Sequence, residues 1–208
     1  MPRRRPQTLL VGVTGGIGSG KTLACSAFER AGVSVLYADD IAKRLYATNA
    51  SLRREITKLL GRRAYGADGS LDRAYVASQI FSRVPLQQKI NAIVHPRVRR
   101  EIRRAAARLA RAGNRLVIVE AALIFESGMN RVLDYVIVVD APRAERIRRI
   151  VRRDKVSRSH AERRMRAQWD TRTKRRLADV VLDNSGSARD LRRAVKLLVT
   201  LFSRISGS

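Results

Sequence analysis

The chain has 208 residues, enough for one large domain or a core with an insertion. With 45% hydrophobic residues it can fill a core, which excludes wholesale disorder, and no apolar run approaches the roughly 20 residues that span a bilayer. Lys and Arg number 44 against 18 acids, a formal charge of +26, which fits an anionic partner or a surface of solvated cations and by itself separates neither.

Of the 44 basic residues, 37 are Arg and 7 are Lys, a skew that coding bias produces, so most of the charge is expected to be solvated surface. The start, Met1-Pro2-Arg3-Arg4-Arg5, is basic, and no signal-peptide apolar core follows it. The single cysteine, Cys25, excludes an internal disulfide and points to a reducing cytoplasm.

In chain order, residues 8–13 read as a buried strand running into a glycine-rich loop. A helix over 23–31 follows, closed by Gly32, then a strand over 33–37. Asp39 is placed to cap a helix over 40–47. From 51 to 112 no strong strand pattern occurs; helical segments are separated by turn signals at Gly61, Gly66-Ala67-Asp68-Gly69 and Pro85. Such a stretch is far longer than an ordinary crossover and reads as a helical insertion. Strands resume over 116–119 and 135–139. Pro142 opens a basic helical stretch, 143–176, with 15 basic and 4 acidic side chains. A last strand, 179–182, precedes a helix over 188–203 with apolar Leu191, Val195, Leu198, Leu201 and Phe202. Strands alternating with helices predict an α/β fold with a five-stranded parallel sheet.

Gly15-Gly16-Ile17-Gly18-Ser19-Gly20-Lys21-Thr22 matches G-x-x-x-x-G-K-[ST] between a strand and a helix. A chain that wraps a triphosphate turns its N–H groups inward, and glycine permits the dihedrals and the close approach. The helix start adds its positive end. Lys21 is expected on the β and γ phosphates and the Thr22 hydroxyl on Mg²⁺.

Four acids follow strands: Asp39, Glu120, Asp140 and Asp183. In a parallel sheet they share the ligand edge with the phosphate loop, where phosphoryl transfer uses carboxylates as metal ligands and as a proton acceptor. Acids in such places also cap helices and make turns. Residues 136–140 look like a Walker B strand, and Glu120 and Asp140 compete for that role. In the basic stretch, Arg149, Arg152, Arg153 and Arg158 are candidates to close over a transferring phosphoryl group, although most of the fifteen cations are expected to be solvated.

Together these segments resemble dephospho-coenzyme A kinases over about residues 9–195. The resemblance is carried by the phosphate loop; Ala38-Asp39-Asp40-Ile41-Ala42; Gly66-Ala67-Asp68-Gly69-Ser70-Leu71-Asp72-Arg73; Ile80-Phe81; Ile93-Val94-His95-Pro96; Leu123-Ile124-Phe125-Glu126; Val138-Val139-Asp140-Ala141-Pro142; Arg152-Arg153-Asp154; and Asp183-Asn184-Ser185-Gly186. It implies a P-loop kinase of the nucleoside-monophosphate-kinase type that phosphorylates the ribose 3′-hydroxyl of dephospho-coenzyme A with MgATP, the last step of coenzyme A biosynthesis. It divides the chain into core (8–50), helical substrate domain (51–112), core (113–142), lid (143–176) and core (177–208). It makes Asp39 the general base, with Lys21 and Arg149 also catalytic. ATP falls to Gly16, Ile17, Gly18, Ser19, Gly20, Lys21, Thr22, Leu23, Arg153, Asn184 and Gly186, and the acceptor to Asp39, His95, Leu123, Phe125 and Glu126.

Two departures from the family pattern concern acids. Tyr37 stands where an acid is common, and Glu120-Ala121-Ala122 replaces a segment that usually contains proline. His95 before Pro96 also fits a structural histidine at a helix start. Trp169 and Tyr75 are expected to pack, His160 to be surface and Cys25 a small buried residue. No Cys/His zinc spacing occurs, no Asn-Lys-x-Asp motif supports a GTPase, and 5% aromatics supply no stacking platform for a polynucleotide. The expected partners are therefore small molecules, with no specific nucleic acid and no membrane, and the expected state is a monomer.

Overall fold

A computed structural model describes residues 8–80, 83–166 and 168–207. Phe81 and the basic start lie outside the described residues. The chain divides into two compact units, one of residues 8–36 and 105–207, the other of residues 37–104.

The first unit holds the sheet. Its strands are β1 (Leu9–Thr14), β2 (Ser34–Tyr37), β3 (Leu116–Glu120), β4 (Tyr135–Asp140) and β5 (Val180–Asp183), in the order β2-β3-β1-β4-β5. The sheet is parallel, with registers such as Val13 opposite Glu120, Thr14 opposite Val138 and Asp140 opposite Asp183. β1 is buried throughout, and β3 and β4 are buried except at their ends. That is why these three read as continuous apolar runs without alternation. β1 sits in the middle and the chain leaves it in opposite directions, which makes its carboxyl end a switch point.

Helix α1 (Lys21–Arg30) buries Ala24, Cys25, Ala27 and Phe28. The last helix in the chain, α9 (Ala188–Gly207), packs against α1, and its Phe202 ring meets Tyr135 at 5.4 Å. The basic stretch forms α6 (Arg143–Asp154), α7 (Arg158–Arg166) and α8 (Thr171–Leu177). Its small apolar core, Ile147, Ile150 and Ala161, packs on Ile17 of the phosphate loop. Trp169, expected to pack, is 47% exposed, because that core closes without it.

The second unit contains α2 (Ala38–Thr48), α3 (Ala50–Leu60), α4 (Arg73–Ile80) and the part of α5 (Val84–Arg111) up to Arg104. Asn49 caps α3 by accepting a hydrogen bond from Leu52 N at 2.9 Å. Leu52, Ile56 and Leu60 bury one face of α3, and Ile90, Val94, Val98 and Ile102 bury one face of α5. Three local expectations are corrected here. Asp39 is not a cap: α2 starts at Ala38 directly from Tyr37, and Asp39 lies in its first turn, where a negative charge still meets the positive helix end. Pro85 is not a turn but the second residue of α5, where a missing N–H costs nothing. His95-Pro96 is inside α5 rather than at a start, because the four-residue apolar period holds the helix through the proline.

Candidate active site

The site is built on the β1–α1 connection. Gly18 and Gly20 hold φ at 79° and 99°, a left-handed conformation that glycine adopts freely. Space makes the same demand: a Cβ on Gly18 would lie 2.7 Å from the Arg146 carbonyl oxygen, and one on Gly20 would lie 2.0 Å from the Asn184 amide nitrogen. Helix α1 begins at Lys21 with no side-chain cap and no acid in its first turn. Its first amides and positive end are thus left for an outside anion. The Ser19 hydroxyl oxygen is buried and finds no hydrogen-bond partner among the described residues, as expected of a cradle that a ligand completes.

Lys21 donates to Gly15 O at 3.1 Å. Burial is the main cause that pushes its pKa below the ordinary lysine value; Glu120 pulls it back up, and Lys174 and Arg146 push it further down. An anion beside a desolvated ammonium favours its charged form, and a polyphosphate would be such an anion. Arg149 reaches the same place from α6. It donates to Asn184 O at 3.0 Å, and the Asn184 side chain donates to Ser19 O at 2.7 Å. Lys21, Ser19, Gly20, Arg149 and Asn184 are therefore brought together. Thr22 is exposed in the first turn of α1, Leu23 is half-buried beside it, and Gly186 is exposed after β5.

Arg153 is not brought to the loop. It pairs with Asp154 at 2.7 Å, and Asp154, which also pairs with Arg164, is pulled down to a pKa of about 2, first by the Arg153 hydrogen bond and then by Arg164. His95, on α5, is half-buried and its pKa is lowered, by burial first and by Arg99 second. Asp39 is exposed on α2. Both belong to the second unit. After β3, Leu123 is 38% exposed, while Phe125 is buried and Glu126 half-buried.

The other strand-end acids divide by partner. Asp183 accepts from Ser185 N at 3.0 Å and from its hydroxyl at 2.6 Å, so it shapes a turn. Asp140 accepts from Ala141 N at 2.8 Å and pairs with Arg175 at 2.9 Å. Glu120 is the carboxylate whose charge is felt at Lys21. Both Walker B candidates have an electrostatic link to the phosphate loop, Glu120 through Lys21 and Asp140 through Arg146, whose guanidinium donates to Ile17 O.

Sequence reasoning passed over three residues that support the loop. The Arg146 guanidinium, on a residue 6% exposed, donates to Ile17 O at 3.0 Å and to the Thr171 hydroxyl at 2.6 Å. Gln168 accepts from Ile17 N at 2.9 Å. Lys174 is fully buried and pairs with Glu126 at 2.7 Å. Arg146 and Lys174 were hidden by composition; the one available signal for Arg146 was its place beside Ile147 and Ile150 on the buried face of α6.

Magnesium is the metal that such a site implies. Among the described residues no three His, Cys, Asp or Glu side chains gather around a cation position. The donors present, an exposed Thr22 hydroxyl and the Glu120 carboxylate near Lys21, suit an ion that keeps most of its shell as water and phosphate oxygens.

Fold and cradle define a P-loop kinase. Comparison with known proteins narrows the class. The family model for dephospho-CoA kinase matches residues 9–190. The dephospho-CoA kinase of Salinibacter ruber is 43% identical over 183 residues, covering 88% of this chain and 92% of the relative, and that of Bacillus licheniformis is 33% identical over 198 residues, covering 95% and 98%. A Thermus thermophilus protein of known crystal structure superposes with a TM-score of 0.79 at 35% identity, covering 94% of this chain and 98% of its own. This chain belongs to the dephospho-CoA kinase family.

Proposed function

We propose that the chain transfers the γ-phosphoryl group of ATP to the ribose 3′-hydroxyl of dephospho-CoA, releasing CoA and ADP, in the last step of CoA biosynthesis. The observation that carries the chemistry is the phosphate loop itself, with Gly18 and Gly20 left-handed, Lys21 turned back to Gly15 O, and α1 uncapped. Family membership supports the choice of acceptor.

In this reading the loop from Gly16 to Leu23 binds the triphosphate. Lys21 and Arg149 balance charge as the phosphoryl group moves, an interaction worth most where water is excluded. Asn184 and Gly186 flank the adenine. Thr22 and Glu120 hold magnesium, which supplies charge neutralisation of the phosphate oxygens. Asp39 takes the proton of the attacking hydroxyl. Helices α6–α8 act as the lid that excludes water, with Arg153 turning from Asp154 to phosphate on closure. Residues 51–112, together with Leu123, Phe125, Glu126 and His95, hold the acceptor. The protein works as a monomer in the cytoplasm, with no membrane partner; no helix among the described residues is long and apolar enough to cross a membrane.

A coupled assay of ADP release tests the reaction with dephospho-CoA against AMP, CMP and shikimate. Turnover is expected with dephospho-CoA, and its absence refutes the reading. In the same assay Asp39→Asn is expected to lower kcat by about 10²–10⁴-fold while ATP affinity is kept. Unchanged turnover would remove Asp39 from the role of base. Lys21→Ala is expected to abolish transfer.

A further inference from the structure

Lys174 has no exposed surface, and the reaction scheme above gives it no task. It stands on α8. Its ammonium donates to Ala122 O at 3.0 Å and lies 2.7 Å from Glu126 Oε1. The same Ala122 carbonyl accepts from the hydroxyl of Thr14, the last residue of β1, at 3.2 Å. One buried cation therefore ties together the root of the phosphate loop, residues 121–126 and α8.

Two further facts separate this arrangement from simple packing. Lys174 engages Glu126 through Oε1 as an ion pair, and the second carboxylate oxygen, Oε2, is buried without a hydrogen-bond partner among the described residues. A carboxylate in that state has unused acceptor capacity. A buried ion pair is also a poor device for stability, because removing two charges from water offsets their attraction, and apolar side chains of the same volume serve as well or better. The chain uses Arg for 37 of its 44 cations, yet Lys stands here. A compact ammonium can serve a carbonyl and a carboxylate in a closed space where a planar guanidinium does not fit.

We propose that Lys174 is a positioning residue for the acceptor: through the Glu126 carboxylate and the Ala122 carbonyl it holds residues 121–126 in register with the phosphate loop, so that the exposed Leu123 of that segment is placed to meet the acceptor nucleotide. This rests on the reading of Leu123, Phe125 and Glu126 as the acceptor wall.

Steady-state kinetics on the full chain test it, with dephospho-CoA and ATP varied separately. Lys174→Met alone leaves a buried carboxylate without its cation and endangers the fold. Lys174→Gln keeps a donor for the Ala122 carbonyl, and the double variant Lys174→Met/Glu126→Met, which removes both charges, is read against Glu126→Met alone so that the lysine is separated from the carboxylate. The acceptor KM is expected to rise about ten-fold or more while the ATP KM stays within about two-fold, the split that loss of a positioned acceptor contact produces. Glu126→Gln is expected to move the acceptor KM in the same direction. A folded Lys174 variant with wild-type acceptor KM and kcat overturns the proposal, as does one in which both KM values rise together. If Glu126→Gln leaves the acceptor KM unchanged, the acceptor wall is misplaced and the proposal falls with it. If Glu126→Gln raises the KM and the Lys174 variants do not, only the role of Lys174 falls.

Discussion

Cys25 shows how a residue next to catalytic machinery can be chemically silent. It lies on α1 four residues after Lys21, fully buried, and its thiol is pushed up to a pKa of about 12, by burial first and by Glu120 second. The thiolate is the reactive form, so the native protein withholds both access and ionisation. Labelling with a thiol reagent at pH 8 is therefore expected to proceed only as fast as the protein unfolds, and rapid labelling of the folded chain would contradict the burial. At this scale the sequence was legible where a residue type has one use. Lys21 and the glycines around it announce a phosphate loop because few other structures need them. Arg146 and Lys174 could not be read, because in a chain with 44 cations a buried one is spelled the same as a solvated one; only the packing of α6 and α8 distinguishes them.

At the scale of elements, local chemistry and tertiary packing disagreed in a few places, and packing won. Pro96 is a helix signal with the wrong position: the apolar face of α5 is long enough to carry the helix through it. Helix α2 needs no cap from Asp39 because it leaves β2 without an intervening loop, which frees that carboxylate. Helix α3 follows the rule instead. Asn49 is its cap, and Asn49→Ala is expected to destabilise the protein by about 1 kcal/mol, read as a lowered Tm or denaturation midpoint with the denaturant slope unchanged. An unaltered midpoint would mean that water replaces the amide oxygen at no cost. The five strands were legible to within a residue or two at their ends, since buried parallel strands are unbroken apolar runs. Their order was not, because no local pattern tells β3 that it lies beside β1.

The whole molecule carries +26, and few of those charges have a task in the site. Many of the others are paired on the helix surfaces, as Arg148 is with Glu145 and Arg104 with Glu101, or are solvated. Exposed pairs of this kind contribute little to stability. They do give the surface a diffuse attraction for polyanions. Binding to a mixed-sequence RNA is expected at low salt and is expected to weaken by orders of magnitude between about 50 and 200 mM salt, with no sequence preference. A salt-resistant, sequence-selective complex would overturn that view of the arginines. The sheet has a different consequence at this scale. β1 pairs with β3 and β4, whose residues lie more than a hundred positions further along the chain, so a long loop must close before the central strand is satisfied. Gly20 and Ser19 gain Asn184 as their neighbour only once β5 has joined the sheet, because Asn184 lies 165 positions beyond Ser19 in the chain. A chain interrupted before β5 therefore lacks the amide that meets the Ser19 carbonyl and fills the space above Gly20, so the phosphate loop is braced by a residue far from it in sequence.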